Sequence, residues 1–150
     1  MKQLFIKKEN SPRLLLFFAG WGSDENLFRR TVAEGYDCLL CFDYRTLEFD
    51  YSLLDGYREI RLLAWSMGVW VAGQILSGRT YPWEMKLAVN GTPFPIDDQR
   101  GIAEAVFHGT LENFSDATLA RFRRRICGGA GQVKEFLVHQ PARTTEELGA

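Results

Sequence analysis

At 150 residues, with 46% hydrophobic, 25% charged and 13% aromatic residues, the chain is long enough for one domain with a hydrophobic core and unlike a disordered protein. Its formal net charge of -1 gives no whole-chain attraction for nucleic acid or an anionic membrane. No apolar run approaches the ~18–20 residues of a membrane span. Residues 1–10 alternate Lys with apolar residues and lack the apolar centre of a signal peptide, so a cytoplasmic protein is expected.

In chain order, residues 3–7 alternate and predict an edge strand. Residues 14–18 (LLLFF) are a continuous apolar run, as a parallel strand buried on both faces requires. The run ends in Ala19-Gly20-Trp21-Gly22-Ser23-Asp24. Ser23 or Asp24 is placed to cap a helix through about Glu34, with Leu27, Val32 and Ala33 among its apolar residues. Residues 36–42 predict the next strand, closed by Asp43-Tyr44-Arg45. A polar loop carrying Asp50, Asp55 and Gly56 leads to a fourth strand over residues 59–64. Met67–Leu76 reads as a helix apolar nearly all round, hence buried, with Gly78 as its stop. A fifth strand over 86–90 runs into Gly91-Thr92-Pro93-Phe94-Pro95. Beyond it, residues 99–107, 116–126, 131–138 and 144–150 read as helix or loop with no further strand. Strands alternating with helices imply an α/β fold: a parallel sheet over residues 1–95 with helices on both faces, and a helical lid or insertion over 96–150 in the same domain.

Three cysteines, Cys38, Cys41 and Cys127, give an odd count without a secretion signal, which argues against a disulfide framework. Cys38-Leu39-Leu40-Cys41 matches C-x-x-C, but inside a strand its two sulfurs point to opposite faces, which suits neither a redox pair nor a metal clamp. The two histidines, His108 and His139, sit in no ligand cluster, so neither a metal nor a cofactor is expected.

The central chemical signal is Ala64-Trp65-Ser66-Met67-Gly68, between an apolar strand and an apolar helix. The hydrolase elbow G-x-S-x-G needs that context, because a sharp strand-to-helix turn exposes the serine hydroxyl. Here Ala stands at the first small position. Ser66 is therefore the candidate nucleophile; the alternative is an ordinary helix N-cap. Gly20-Trp21-Gly22 follows an earlier strand, where such folds place one oxyanion-hole donor. The backbone N–H groups of Trp21 and Met67 are the candidate pair, each donor of this kind being worth roughly 3 kcal/mol in the transition state. A glycine-rich turn is the alternative. A serine nucleophile also needs a His base and an orienting acid after late strands. No such strands follow, His108 and His139 fall in the helical region, and Asp97 and Asp98 read as loop carboxylates.

Residues 121–125 read Arg-Phe-Arg-Arg-Arg. On a helix, Leu119, Phe122 and Ile126 share one face. Arg121, Arg123, Arg124 and Arg125 then form either a solvated face or a docking patch for an acidic partner.

The run Phe17-Phe18-Ala19-Gly20-Trp21-Gly22, Asp43-Tyr44-Arg45, the stretch from Ala64 to Ala72, and Val89-Asn90-Gly91-Thr92 resemble the short BioG-type pimeloyl-acyl-carrier-protein methyl ester esterases. So do Gly109-Thr110-Leu111-Glu112-Asn113 and Arg124-Arg125-Ile126-Cys127-Gly128. The resemblance implies an α/β-hydrolase whose C-terminal strands, acid and His are missing here. It also implies a serine carboxylesterase of biotin synthesis, with Ser66 as nucleophile, Trp21 and Met67 at the oxyanion hole, and an acidic acyl carrier protein docking on the arginines. Two other functions stay open: a serine hydrolase of another acyl ester or thioester, and a non-catalytic acyl-carrier-binding remnant.

Overall fold

In the computed structural model, which describes residues 1–30, 33–127 and 129–150, five strands form one sheet in the order β1-β3-β2-β4-β5. They are β1 Lys2–Lys7, β2 Arg13–Phe18, β3 Asp37–Phe42, β4 Glu59–Trp65 and β5 Trp83–Val89. β1 runs antiparallel to β3, and the other neighbouring pairs are parallel. The helices are α1 Glu25–Phe28, α2 Met67–Leu76, α3 Glu104–Glu112, α4 Asp116–Arg125, α5 Ala130–Val138 and α6 Thr145–Gly149.

The main core lies under α2. Leu14, Leu16 and Phe18 of β2 meet Ile60 and Ala64 of β4 and Val71, Ala72, Ile75 and Leu76 of the helix. The fully enclosed members among them each contribute on the order of 2 kcal/mol. On the other face a smaller cluster joins Leu40, Phe42 and Ala19 to Phe17 and Phe28. β3, between two strands and beneath both clusters, is buried along its whole length. Cys38 and Cys41 are buried free thiols there, and burial pushes both up from the ordinary thiol range.

Three elements depart from expectation. α2 is buried on one side only, through Gly68, Val71, Ala72, Ile75 and Leu76, and leaves Gly73 and Gln74 exposed, because only that side packs on the sheet. α1 is a single turn capped by the Asp24 carboxylate, which accepts the Asn26 N–H, and it stops at Phe28 rather than near Glu34. The chain must turn before β3, and Gly35, at φ 75°, makes that turn just after Ala33. Val32 lies outside the described residues. β5 begins at Trp83 rather than Lys86, because its pairing with β4 reaches back to Ile60. Its outer side pairs with no strand among the described residues, and Met85, Leu87 and Val89 are each at least 40% exposed.

β2, β3, β4 and β5 are mutually parallel or continuous across the sheet, so their C-terminal ends open on one side. Helices α3 to α6 follow β5 in the chain, and residues 142–148 return to that side. The Ala142 N–H donates to Asp24 Oδ2 at 2.6 Å, and the Trp21 indole N–H donates to the Leu148 carbonyl at 3.2 Å. Arg143, itself buried, donates to Asp43 Oδ1 at 2.9 Å and to Glu147 Oε2 at 3.2 Å. Arg45 holds the same Asp43 carboxylate with two 2.7 Å bonds. Among the described residues no helix is long and apolar enough to cross a membrane, and no group of three or more His, Cys, Asp or Glu is placed to hold a metal ion.

Candidate active site

Three strands in succession end on a non-glycine residue with positive φ: Asp43 after β3 (57°), Ser66 after β4 (56°) and Asn90 after β5 (48°). Asp and Asn tolerate the left-handed region through local hydrogen bonding; serine has less reason to be there. Ser66 has φ 56° and ψ -125°, a sparsely populated conformation of the kind that costs about 1–3 kcal/mol. Its side chain makes no capping hydrogen bond to α2, although it occupies the cap position. The ordinary N-cap alternative requires extended backbone and a side-chain bond, and neither is present.

The surroundings hold this turn in place. The Ser66 N–H donates to the Val89 carbonyl at 2.9 Å, and the Ser66 carbonyl accepts from the Val69 N–H at 3.0 Å. A methyl on Gly68 would collide with the Phe18 carbonyl and stand 2.7 Å from that of Ala19. One on Gly91 would collide with the Ser66 carbonyl. Small residues are thus required where β2, β5 and the elbow converge. Ala64, in the first small position of the motif, sits buried in the core.

The loop after β2 lies against the serine. A Cβ built on Gly20 would stand 3.2 Å from the Ser66 Cβ. Gly22, at φ 77°, completes a turn closed by the Ser23 N–H on the Gly20 carbonyl at 3.3 Å. Trp21 sits in the middle of that turn, and among the described residues no backbone acceptor takes its N–H. Met67 is the first residue of α2, where the N–H has no partner within the helix. Tyr44, from the Asp43-Tyr44-Arg45 segment, places its hydroxyl 2.8 Å from both the Ala19 and Cys41 carbonyls. It thereby ties the root of the loop to the end of β3.

Ser66 and Trp21 line one cavity of about 190 Å³. Its walls are largely apolar: Leu27 and Trp65 come from the core side, and Leu119, Phe122, Ile126 and Phe136 come from α4, its C-cap and α5. The Trp21 ring packs against Phe114 and Phe122, each at a centroid distance of 5.5 Å. For scale, an apolar cavity of about 150 Å³ suffices for a benzene ring. A larger cavity of about 320 Å³ lies between α2 and β4–β5, but Ser66 is not in its lining.

Arg123 is separated from the other arginines. It is partly buried in the wall of the Ser66 cavity and donates through one Nη to the carbonyls of Pro141 (3.1 Å) and Arg143 (3.3 Å). Arg121, Arg124 and Arg125 are exposed. The spacing carried the clue: Arg123 is four residues beyond Leu119 and so falls on the apolar stripe. Burial holds the Arg123 guanidinium below its ordinary range. His108 in α3, His139 at the end of α5, and Asp97 and Asp98 are not among the residues lining the cavity. Asp97 organises its own turn, with the Arg100 guanidinium and then the Gln99 and Arg100 N–H groups holding its carboxyl down at about 2. Of the residues read from sequence, Ser66, Trp21 and Arg123 meet at one cavity. Gly91, Asn90, Tyr44 and Pro141 are additions; Tyr44 and Asn90-Gly91 stood in segments just past strand ends that the resemblance quoted, whereas Pro141 left no sequence trace.

A serine in a forced turn between an interior parallel strand and a half-buried helix, under a helical cover, defines an α/β-hydrolase-like fold. The family described as Pimeloyl-ACP methyl esterase BioG matches residues 1–150. The chain belongs to the BioG family. It is 42% identical to the solved BioG of Haemophilus influenzae, with a TM-score of 0.86 over 99% of this chain and 68% of that one. It is 52% identical over 134 residues to a Bacteroides fragilis protein named malonyl-[acyl-carrier protein] O-methyltransferase, covering 89% of this chain and 27% of that protein. An uncharacterized H. influenzae protein is 44% identical over 136 residues, covering 90% of this chain. The chain spans 27% and 61% of the lengths of these two curated relatives. A lipase-esterase related protein of Clostridium acetobutylicum, 15% identical with a TM-score of 0.63 over 99% of this chain and 68% of that one, shares the fold.

Proposed function

We propose that this chain carries the nucleophile and oxyanion-binding part of a serine carboxylesterase that removes the methyl ester of pimeloyl-acyl carrier protein in the cytoplasm, during biotin biosynthesis. The observation that carries the reading is the strained Ser66 backbone, uncapped and bordering a lidded apolar cavity. The family match and its printed name supply the substrate. The B. fragilis relative's name also concerns an acyl chain on an acyl carrier protein, which supports the carrier-protein part of the reading.

In this mechanism Ser66 Oγ attacks the ester carbonyl, and the Trp21 and Met67 N–H groups stabilise the oxyanion. The C–O bond to the methoxy group breaks, and methanol leaves with the proton that Ser66 gave up. Water then attacks the acyl-Ser66 ester, releasing the free carboxylate and restoring the hydroxyl. Both steps need a base, and neither histidine lines the cavity. On this proposal the base would come from the part of longer relatives that this chain does not span. Arg121, Arg124 and Arg125, exposed near one end of α4, would steer the acidic carrier protein.

The test is methanol release from methyl pimeloyl-acyl carrier protein by the wild-type chain and by Ser66→Ala. Loss of release in the variant is expected; equal release by both would remove Ser66 from the mechanism. Folded wild-type chain that binds the carrier protein but releases no methanol would favour a second reading, a non-catalytic acyl-carrier-binding module. The absence of both histidines from the cavity lining is the observation on that side. Equal rates on free and carrier-bound methyl esters would favour a broader acyl-ester hydrolase.

A further inference from the structure

We infer that Arg123 reads an oxygen at the far end of the acyl chain, so that the Ser66 cavity prefers a medium-length ester bearing a second carbonyl over a plain fatty ester. The inference rests on the esterase reading and names the substrate feature that site selects. Arg123 is the one charged side chain among the described residues lining the cavity. It shares the inward face of α4 with Leu119, Phe122 and Ile126, a position where an apolar residue would complete the stripe.

Its bonding is also incomplete. A guanidinium offers five N–H donors on three nitrogens, and the two bonds Arg123 makes both leave from one Nη. Among the described residues no carboxylate lies within ion-pair distance of it. Arg143, on the return segment that Arg123 grips, is instead paired to both Asp43 and Glu147. Arg123 is therefore a partly desolvated cation with open donors, in the same cavity as the nucleophile. A cavity of about 190 Å³ has room for a short chain but not for a long fatty one. An ester carbonyl held at Ser66 and a second carbonyl offered to Arg123 would satisfy both polar ends of an otherwise apolar site. A thioester, an ester and a carboxylate share this acceptor chemistry.

The competing explanation makes Arg123 only a strut for Pro141 and Arg143. The two differ in what a substitution does to selectivity. In the Ser66→Ala chain, which cannot turn over ligand, quenching of tryptophan fluorescence reports binding, because Trp21 and Trp65 line the cavity. Dimethyl pimelate and methyl octanoate are the probes. Apolar burial alone favours the octanoate, whereas a charge-assisted hydrogen bond is expected to reverse this to about tenfold tighter binding of the diester. Arg123→Met should bring the two affinities within about twofold, mainly by weakening the diester. A strut would instead weaken both alike and leave their ratio unchanged. An unchanged ratio overturns the inference, as does the absence of any preference with Arg123 present or of saturable quenching by either probe. If Arg123→Met does not fold, Arg123→Lys keeps the charge but loses the fork; a fall to about threefold supports the assignment and an unchanged ratio overturns it. Failure of Ser66-dependent methanol release would sink the esterase reading without touching this binding comparison.

Discussion

Ser66 is confined by carbonyl oxygens and glycines, and the tightest of these contacts have no slack. Gly68 faces the carbonyls of Phe18 and Ala19 with no room for a Cβ, and a neighbouring carbonyl cannot swing away as a flexible side chain can. Gly68→Ala is therefore expected to displace α2 from β2 and cost about 1–3 kcal/mol, read as a lower urea midpoint. Gly73→Ala, at a helical position with nothing near its Cβ, should leave stability unchanged or raise it slightly and serves as the control. At this scale the sequence was informative about Ser66, because strand, serine, small residue and apolar helix are contiguous. It was informative about Arg123 only in part. Four arginines in a run of five suggested one outward surface, yet helical period set one of them among apolar neighbours. Tyr44 stood in the quoted Asp43-Tyr44-Arg45 segment, but its role was not legible, since its two acceptors, the Ala19 and Cys41 carbonyls, are brought to it by the sheet.

Between elements, the C-terminal segment is held to the sheet by charge as well as apolar contact. Asp43 and Arg143 are both nearly sealed from solvent, and Glu147, Arg45 and Lys2, 3.8 Å from Asp43, complete the group. The Arg45 guanidinium, then that of Arg143, hold the Asp43 carboxyl below its ordinary 3.8 despite burial. A depressed folded-state value means the stabilisation is fully present above the unfolded value and is lost as pH falls through the folded one. Part of the protein's stability should therefore disappear below about pH 4. Asp43→Asn should lower stability at pH 7 by about 3 kcal/mol, because Arg143 is left buried with a weaker partner. It should also shrink the difference between urea midpoints at pH 7 and pH 3; an undiminished difference would place that acid sensitivity elsewhere. On the lid's outer side, Arg124→Glu is expected to weaken carrier-protein binding, and more at 20 mM than at 300 mM salt. Binding that does not respond to salt would argue against a docking role for this face. The strands were readable here from their apolar runs, as was the order of the lid helices. The latch was not, because Asp43 and Arg143 stand 100 residues apart and nothing local marks them as partners.

For the molecule as a whole, the two sides of the sheet's end strands differ. β1 carries Lys2 and Lys7 on its edge segment, whereas β5 presents Met85, Leu87 and Val89 to solvent along a side with no paired strand among the described residues. Such an edge templates pairing with another chain. Sedimentation is expected to show the 150-residue chain associating as its concentration rises, and Leu87→Lys should reduce that association several-fold. A wild-type chain that stays monomeric at high concentration would show that the edge is shielded. The α/β class and the position of the elbow in it could be read from alternating apolar and amphipathic segments. The contents of the cavity could not, since it combines Ser66 and the loop after β2 with side chains from α4 and α5. The loop's own anchor lies farther still: the Trp21 indole bonds the Leu148 carbonyl, 127 residues later. At about 5–20 residues per second, a ribosome needs about 6–25 s to cover that distance. Over the last 82 residues of that distance, about 4–16 s, a nascent chain has its serine turn already synthesised while the facing tryptophan still has no acceptor, so the elbow is complete before the segment that closes over it.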